Sequence, residues 1–184
     1  MTLPKFETRR LLLRPIEESD AQGLHAAYGD ADAMRFWDAP PSVDLAETAS
    51  RIRQTLAAEQ RWHGMWAITA RSGGFAGMIN YHAVDPRNRR LALGWIVAPA
   101  FQHQGLMTEA AEIVLHHCFS AMDMHRIEAL IEPENTASRG LALKLGFTQE
   151  SDAMRDRLLV DGRYRPLLMY GLLRTDWAVY RPNA

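Results

Sequence analysis

Two strand-like runs, "LALGWIV" at residues 91–97 and "RIEALI" at residues 126–131, are separated by one long stretch of helical period. Within that stretch Ala110, Ile113, Val114, Cys118 and Met122 recur at helical spacing, which predicts a helix over about Thr108–Met122 with those residues as its core stripe. A hairpin turn joins antiparallel strands, whereas a helical crossover lets two strands run parallel. The strands between residues 65 and 97, and the closing pair, are joined by turns. The chain is therefore restricted to a mixed sheet, mostly antiparallel, that can hold one parallel pair.

The remaining elements surround that pair. "RRLLLRPI" (Arg9–Ile16) is a short apolar strand, and Ser19 or Asp20 can cap a helix running to Tyr28. After the break "APPS", Asp44 opens a second helix with Ala46, Ala49, Ile52, Leu56 and Ala57 on one face. "MWAITAR" and "FAGMINYHAV" form antiparallel neighbours across the turn Gly73-Gly74. Beyond residue 131, Thr136–Leu145 is a short helix with Gly146 just past its C-terminus. "FTQESDAMRDRLLV" and "RYRPLLMYGLLRTDW" close the chain as a hairpin about Asp161-Gly162. The fold class is α+β. At 184 residues, with no linker or repeat, residues 1–184 are expected to form a single domain.

Between the strand at 91–97 and its helix lies "APAFQHQGLMTEA" (98–110). The first turn of a helix leaves backbone N–H groups without partners, and the helix dipole adds positive charge there. A glycine just before it allows close approach of a ligand, so the segment has the means to hold phosphate oxygens. Gly105 would give that approach. N–H groups from about His103 to Thr108 would give the donors, with the Thr108 hydroxyl as a further donor or a helix cap. No lysine followed by Ser or Thr comes after Gly105, and no second or third glycine is present, so neither the P-loop nor the dinucleotide fingerprint fits. A simple connection between strand and helix fits as well.

"V-x-x-x-x-Q-x-x-G-x-M", from Val97 through Gln102 and Gly105 to Met107, resembles the acetyl-CoA pyrophosphate motif of the GNAT N-acetyltransferase superfamily. Met107 departs from the usual final glycine or alanine, and "GLMTEA" is similar to a variant in the RimJ/RimL type that acetylates ribosomal-protein N-termini. "TRRLLLRPIEESDA", "WAI", "MHRIEALIEPENTASRGLALKLGFTQES" and "LLVDGRYRPLLMYGLLRTDW" resemble further segments of that branch, in the same order. The resemblance implies a seven-stranded, mostly antiparallel sheet with a splayed central parallel pair and about four helices.

It also implies acetyl-CoA as the acetyl-donor cosubstrate. The pyrophosphate would lie on Gln102, His103, Gln104, Gly105, Leu106, Met107 and Thr108, and pantetheine amides on the backbone of Ile96 and Val97, as an added strand. Asn135 and Ser138 open the helix after residue 131. By resemblance both reach the cofactor, with Ser138 the candidate general acid; as ordinary helix-capping residues they would do neither. The reaction needs a deprotonated amine, donors for the oxyanion and a proton for the thiolate. Some relatives carry a glutamate base two residues before Gly94, where this chain has Ala92. Tyr81, His82, Glu109 or water are the substitutes. Tyr81 and His82 alternate across a strand, so at most one faces the cleft. Glu109 also suits a charge at a helix N-terminus. Trp37 and Trp62, on either side of the second helix, are candidate walls for the acceptor.

The net charge of −1 gives no reason to expect nucleic acid or an anionic membrane as partner. No apolar run approaches the roughly 18 residues of a membrane helix, and the N-terminus lacks signal-peptide features, so a cytoplasmic protein is expected. Adjacent His116 and His117 lie on different helix faces and no HExxH occurs, so no metal is expected. Cys118 sits in an apolar run as an inert buried thiol. The expected function is transfer of acetyl to a primary amine, on a protein N-terminus or a small molecule. The alternative is a non-catalytic acyl-CoA-binding module, suggested by Ala92. Relatives often dimerise, which leaves room for a homodimer.

Overall fold

The computed structural model describes residues 3–59 and 61–179. Nine strands form the sheet: β1 (Phe6–Glu7), β2 (Leu11–Pro15), β3 (Gly64–Ala70), β4 (Phe75–Asp85), β5 (Arg90–Val97), β6 (Arg126–Ile131), β7 (Thr148–Gln149), β8 (Met154–Val160) and β9 (Arg163–Leu173). The order is β1-β2-β3-β4-β5-β6-β9-β7, with β8 pairing β9. The α-helices are α1 (Ala21–Tyr28), α2 (Ala31–Met34), α3 (Leu45–Ala57), α4 (Leu106–Ser120), α5 (Thr136–Lys144) and α6 (Arg174–Val179). The sheet is mixed, as expected, with one parallel pair, β5–β6. There are nine strands rather than seven because the two-residue β1 pairs with β2, and because the segment after residue 147 divides into β7 and β8.

Helix α4 carries the crossover that permits the parallel pair. Its burial follows the expected stripe: Ala110, Val114 and Cys118 are buried and Ile113 is partly buried, while Met122, packed against the same core, lies past the helix end at Ser120. One face of the sheet buries Leu11, Leu13, Trp66, Ile79 and Tyr81 under α4 residues. The opposite face packs Met65, Ala67, Met78 and Ile96 against Leu24, Met34 and Ile52 of the early helices. Alternation along β4 sorts Tyr81 to the first face and Met78 to the second, as a period of two requires.

Several boundaries differ from the sequence expectation. Neither Ser19 nor Asp20 caps α1 through its side chain. Asp20 instead accepts from the Glu17 N–H and, itself buried, pairs with the half-buried Arg14, Nη2 to Oδ1 2.5 Å. Asp44 caps α3 as expected, accepting from Glu47 N–H at 2.8 Å. Helix α4 begins at Leu106, so Thr108 lies inside its first turn and is not the cap. "RTDW" turns into α6 instead of extending the last strand. Asp161 and Gly162 both have positive φ, as the expected hairpin turn needs.

Candidate active site

Strands β5 and β6 are paired only at Arg90↔Arg126, Leu91↔Ile127 and Ala92↔Glu128. Beyond Ala92, β5 stays with β4 as far as Val97↔Gly77, and β6 stays with β9 as far as Ile131↔Leu168. The two inner edges therefore part, and a cleft of about 800 Å³ opens between them. Ile96 and Val97 line it on one side and Ala129 to Glu132 on the other. An unpaired strand edge offers a row of N–H and C=O groups to anything extended that enters.

One end of the cleft is formed by Gln102, His103, Gly105, Leu106, Met107 and Thr108. Left-handed backbone at His103 (φ 59) and Gly105 (φ 69) curls the loop into the helix. Among the described residues, no N–H from His103 through Thr108 donates to a backbone carbonyl, and none bonds a side chain. That row of donors, at the positive end of α4, suits a multiply charged anion. Gln102 folds back, its Nε2 3.4 Å from the Val97 carbonyl. Gln104 does not line the cleft: its side chain bonds the Ala100 carbonyl, and its own carbonyl accepts from Arg10.

Arg10 was not foreseen from the sequence. From just before β2 its Nη1 reaches the Gln104 carbonyl at 2.9 Å, its Nη2 the Gly105 carbonyl at 3.3 Å and its Nε the Glu109 carboxylate at 2.6 Å. The loop carbonyls are thus held on the side away from the donors. Burial works against the Glu109 charge, but hydrogen bonds from Thr8 and Arg10 outweigh it and hold the carboxyl below its usual range. Glu109 is therefore a committed helix-terminal charge and does not line the cleft.

The wall facing β5 is α5. Asn135 accepts the Ser138 N–H at 3.0 Å through Oδ1, so it is the helix cap, while both residues also line the cleft. The Trp95 indole donates to Ser138 Oγ at 3.3 Å. A hydroxyl that accepts from an indole keeps its own proton available. Trp95 carried no sequence signal beyond its place on β5.

At the other end stand Asp32, Phe36, Trp37, Asp38, His63, Asn80 and His82, with Leu158 and Leu167 across from them. Trp37 lines the cleft. Trp62 is exposed beside Arg61, whose guanidinium lies 4.8 Å from its ring centre, and is not part of the cleft. Tyr81 points to the opposite face, where its ring lies 5.7 Å from that of Trp66 and burial pushes its phenol up to about 12. His82 lines the cleft, and burial lowers its pKa, with Asp38 working in the other direction. His63 and Asn80 were missed. Asn80 was findable, since it lies two residues before His82 on the same strand face. His63 precedes β3 and joins the group only in the folded chain, its Nε2 3.4 Å from Asn80 Nδ2.

Cys118 is buried and its thiol is pushed up to about 12 by burial, which leaves it inert. Among the described residues, no helix is long and apolar enough to cross a membrane.

Comparison with known proteins gives a consistent result. Residues 10–148 match the acetyltransferase (GNAT) domain family. An uncharacterised N-acetyltransferase of Bacillus subtilis, YoaA, is 28% identical over 93% of this chain and 97% of its own. Spermidine N(1)-acetyltransferase of Escherichia coli is 25% identical over 83% of this chain and 80% of its own. The structure of RimL, a ribosomal L7/L12 α-N-protein acetyltransferase in complex with coenzyme A, superposes with a TM-score of 0.81 at 23% identity, over 92% of this chain and 98% of that one.

Proposed function

The chain belongs to the GNAT acetyltransferase family and is an acetyl-CoA-dependent N-acetyltransferase, and from that premise we propose how its cleft is divided between cofactor and acceptor. The His103–Thr108 donors take the pyrophosphate of acetyl-CoA, and the free edge of β5 at Ile96 and Val97 takes the pantetheine arm. Met107 and Leu106 contribute backbone N–H groups while their side chains are buried beneath the loop. The acetyl thioester then lies beside Ser138, and the acceptor amine enters from the Trp37 and Asp38 end. The observation that carries this reading is the unpaired row of N–H groups from His103 to Thr108, continuous with the parting of β5 and β6.

Attack of a neutral amine on the thioester carbon places negative charge on the carbonyl oxygen, which backbone N–H groups near Val97 are positioned to receive. Collapse expels the thiolate. Ser138, with its Oγ already accepting from Trp95, directs its own proton to that sulfur. A serine hydroxyl is a weak acid, so its contribution is a hydrogen bond that strengthens as charge grows on sulfur.

The acceptor is a primary amine, and a protein α-amine of the ribosomal type comes first because four segments resemble the RimJ/RimL branch. A small polycationic amine is the second reading. It is favoured by Asp32 and Asp38, whose carboxylates hold no hydrogen bond or ion pair among the described residues while Trp37 and Phe36 stand between them. A cleft rimmed in this way suits an acceptor with a second positive charge. The same reading takes residues 1–184 as one catalytic domain working in the cytoplasm.

Calorimetric titration of acetyl-CoA into the parent and a Gly105→Glu variant tests the division. Gly105 has φ 69, and a glutamate there would add both strain and negative charge at the donor row. Binding by the parent and its loss in a folded variant is the expected result, and equal binding by both would remove the pyrophosphate assignment. Acetylation of spermidine and of an Ala-terminated peptide then separates the two acceptor readings.

A further inference from the structure

We propose that His82 takes the proton from the attacking amine, in a polar subsite that it shares with Asn80 and His63. This assignment rests on the acetyl-transfer reading above and adds the base that the missing carboxylate at position 92 would otherwise leave unfilled.

Placement is the first ground. His82 is paired with Ala92 in the β4–β5 ladder, and Ala92 is also the last residue of β5 paired with β6. The imidazole thus stands beside the point at which the cleft opens. Immediately after it the ladder is irregular and Ala83 turns left-handed (φ 50), a bulge of the kind that re-aims side chains next to reactive sites. Small residues on β5 make the room. A Cβ added to Gly94 would lie 2.6 Å from Asn80 Oδ1 and 3.7 Å from His82 Cε1. Both β4 side chains therefore lean across the floor that Ala92 and Gly94 leave low.

Unpaired polar atoms are the second ground. Five buried side-chain nitrogen or oxygen atoms lack a partner among the described residues, and three of them are His63 Nδ1, Asn80 Oδ1 and His82 Nδ1. Buried polar atoms are ordinarily paired, so three orphans together on a cleft wall mark a place where a polar ligand completes the bonding. With Nδ1 of His82 buried, Nε2 is the nitrogen open to a group in the cleft. The other candidate bases are committed elsewhere: Tyr81 is on the opposite face, and Glu109 is held by Arg10.

Burial keeps the ring neutral at rest. Burial lowers the pKa of His82 and of His63, and the two rings disfavour simultaneous protonation. Asp38, from the segment after α2, acts in the opposite direction on His82. β5 presents only Ala92 and Gly94 to the pair, and Glu132 at the end of β6 is occupied by Arg165 at 3.0 Å. A neutral imidazole accepts a proton, and Asp38 helps it hold the charge for the duration of the step.

An acceptor ammonium gives one proton to His82 Nε2, which frees the nitrogen lone pair. A C–N bond forms at the thioester carbon, the C–S bond breaks with its electron pair on sulfur, and the second nitrogen proton goes to the thiolate. Amide and CoA thiol leave, and His82 returns its proton to solvent.

The test is single-turnover acetyl transfer from acetyl-CoA to spermidine and to an Ala-terminated tripeptide, from about pH 5 to about pH 9, in the parent, His82→Gln and His82→Ala. Expected in the parent is a limb below pH 6.5, on which the rate falls as His82 becomes protonated. Its absence overturns the proposal without recourse to any variant. Expected in His82→Gln is a rate loss of about 10²- to 10⁴-fold with the limb abolished and acetyl-CoA affinity kept. Added imidazole should restore rate to His82→Ala, which a merely structural role would not allow. A folded His82→Gln that keeps both rate and limb overturns the proposal while leaving the acetyl-transfer reading intact. A parent that binds acetyl-CoA but acetylates neither probe removes both.

Discussion

Arg10 and Glu109, 99 residues apart, are joined twice: the Arg10 backbone N–H reaches Oε1 at 3.0 Å and its Nε reaches Oε2 at 2.6 Å. With two further bonds to the carbonyls of Gln104 and Gly105, the arginine ties β2 to both the loop and the first turn of α4. Arg10→Ala is expected to leave the fold intact and weaken acetyl-CoA binding about tenfold, or about 1.4 kcal/mol, because the donor row loses its brace. Calorimetry measures this directly. An unchanged dissociation constant would show that the loop holds its shape alone.

Trp95 and Ser138 are expected to act as one unit. Ser138→Ala should lower the single-turnover rate about 10- to 100-fold, and Trp95→Phe should lower it by less, since the hydroxyl remains. The double variant should be little worse than Ser138→Ala, and strictly additive losses would separate the two residues.

Gly94→Ala probes the floor of the acceptor subsite. The new methyl would meet Asn80 Oδ1 at 2.6 Å, so Asn80 must turn away. Acceptor KM should rise several-fold, with acetyl-CoA binding unchanged. A parallel loss of cofactor binding would mean that the methyl also blocks the pantetheine path.

Asp38→Asn removes a carboxylate from the acceptor rim and from beside His82. The limb assigned to His82 should move to lower pH, because the attraction that favours its protonated form is gone. With spermidine as acceptor the variant should also show a higher KM, and the effect should shrink as salt is added. A shift of the limb to higher pH would reverse the sign and count against the placement of Asp38.

Stability should fall on acidification. His63, His82 and His117 all have pKa values lowered from 6.5, in each case first by burial. Protons bind the unfolded chain more readily than the folded one, so this stabilisation is present above about pH 6.5 and is lost as pH falls below it. Thermal melts between about pH 7.5 and about pH 5 should show a declining Tm, with a shallower decline in His63→Gln if that variant folds.

The architecture was legible because it rests on local period. Alternation and helical spacing placed β2 to β6 and α3 to α5 within a few residues, and the crossover between residues 97 and 126 permitted the parallel pair. The donor loop was equally legible, since Gln102, Gly105 and the helix start are neighbours in the chain. Helix α1 spans the expected residues, but a tertiary partner took over its cap: the Asp20 side chain serves Arg14 instead of the helix N-terminus.

What the sequence determined by itself was therefore the order of elements, the glycine loop that opens α4 and the absence of a carboxylate at position 92. Only the tertiary structure decided that Tyr81 is core and His82 is cleft, that Glu109 is spoken for by Arg10, and that His63 joins Asn80 from a separate segment. The physical reason is range. Periodicity and caps act over a few residues, whereas burial, orphaned hydrogen-bonding atoms and the charge around an imidazole come from strands brought together across the whole sheet.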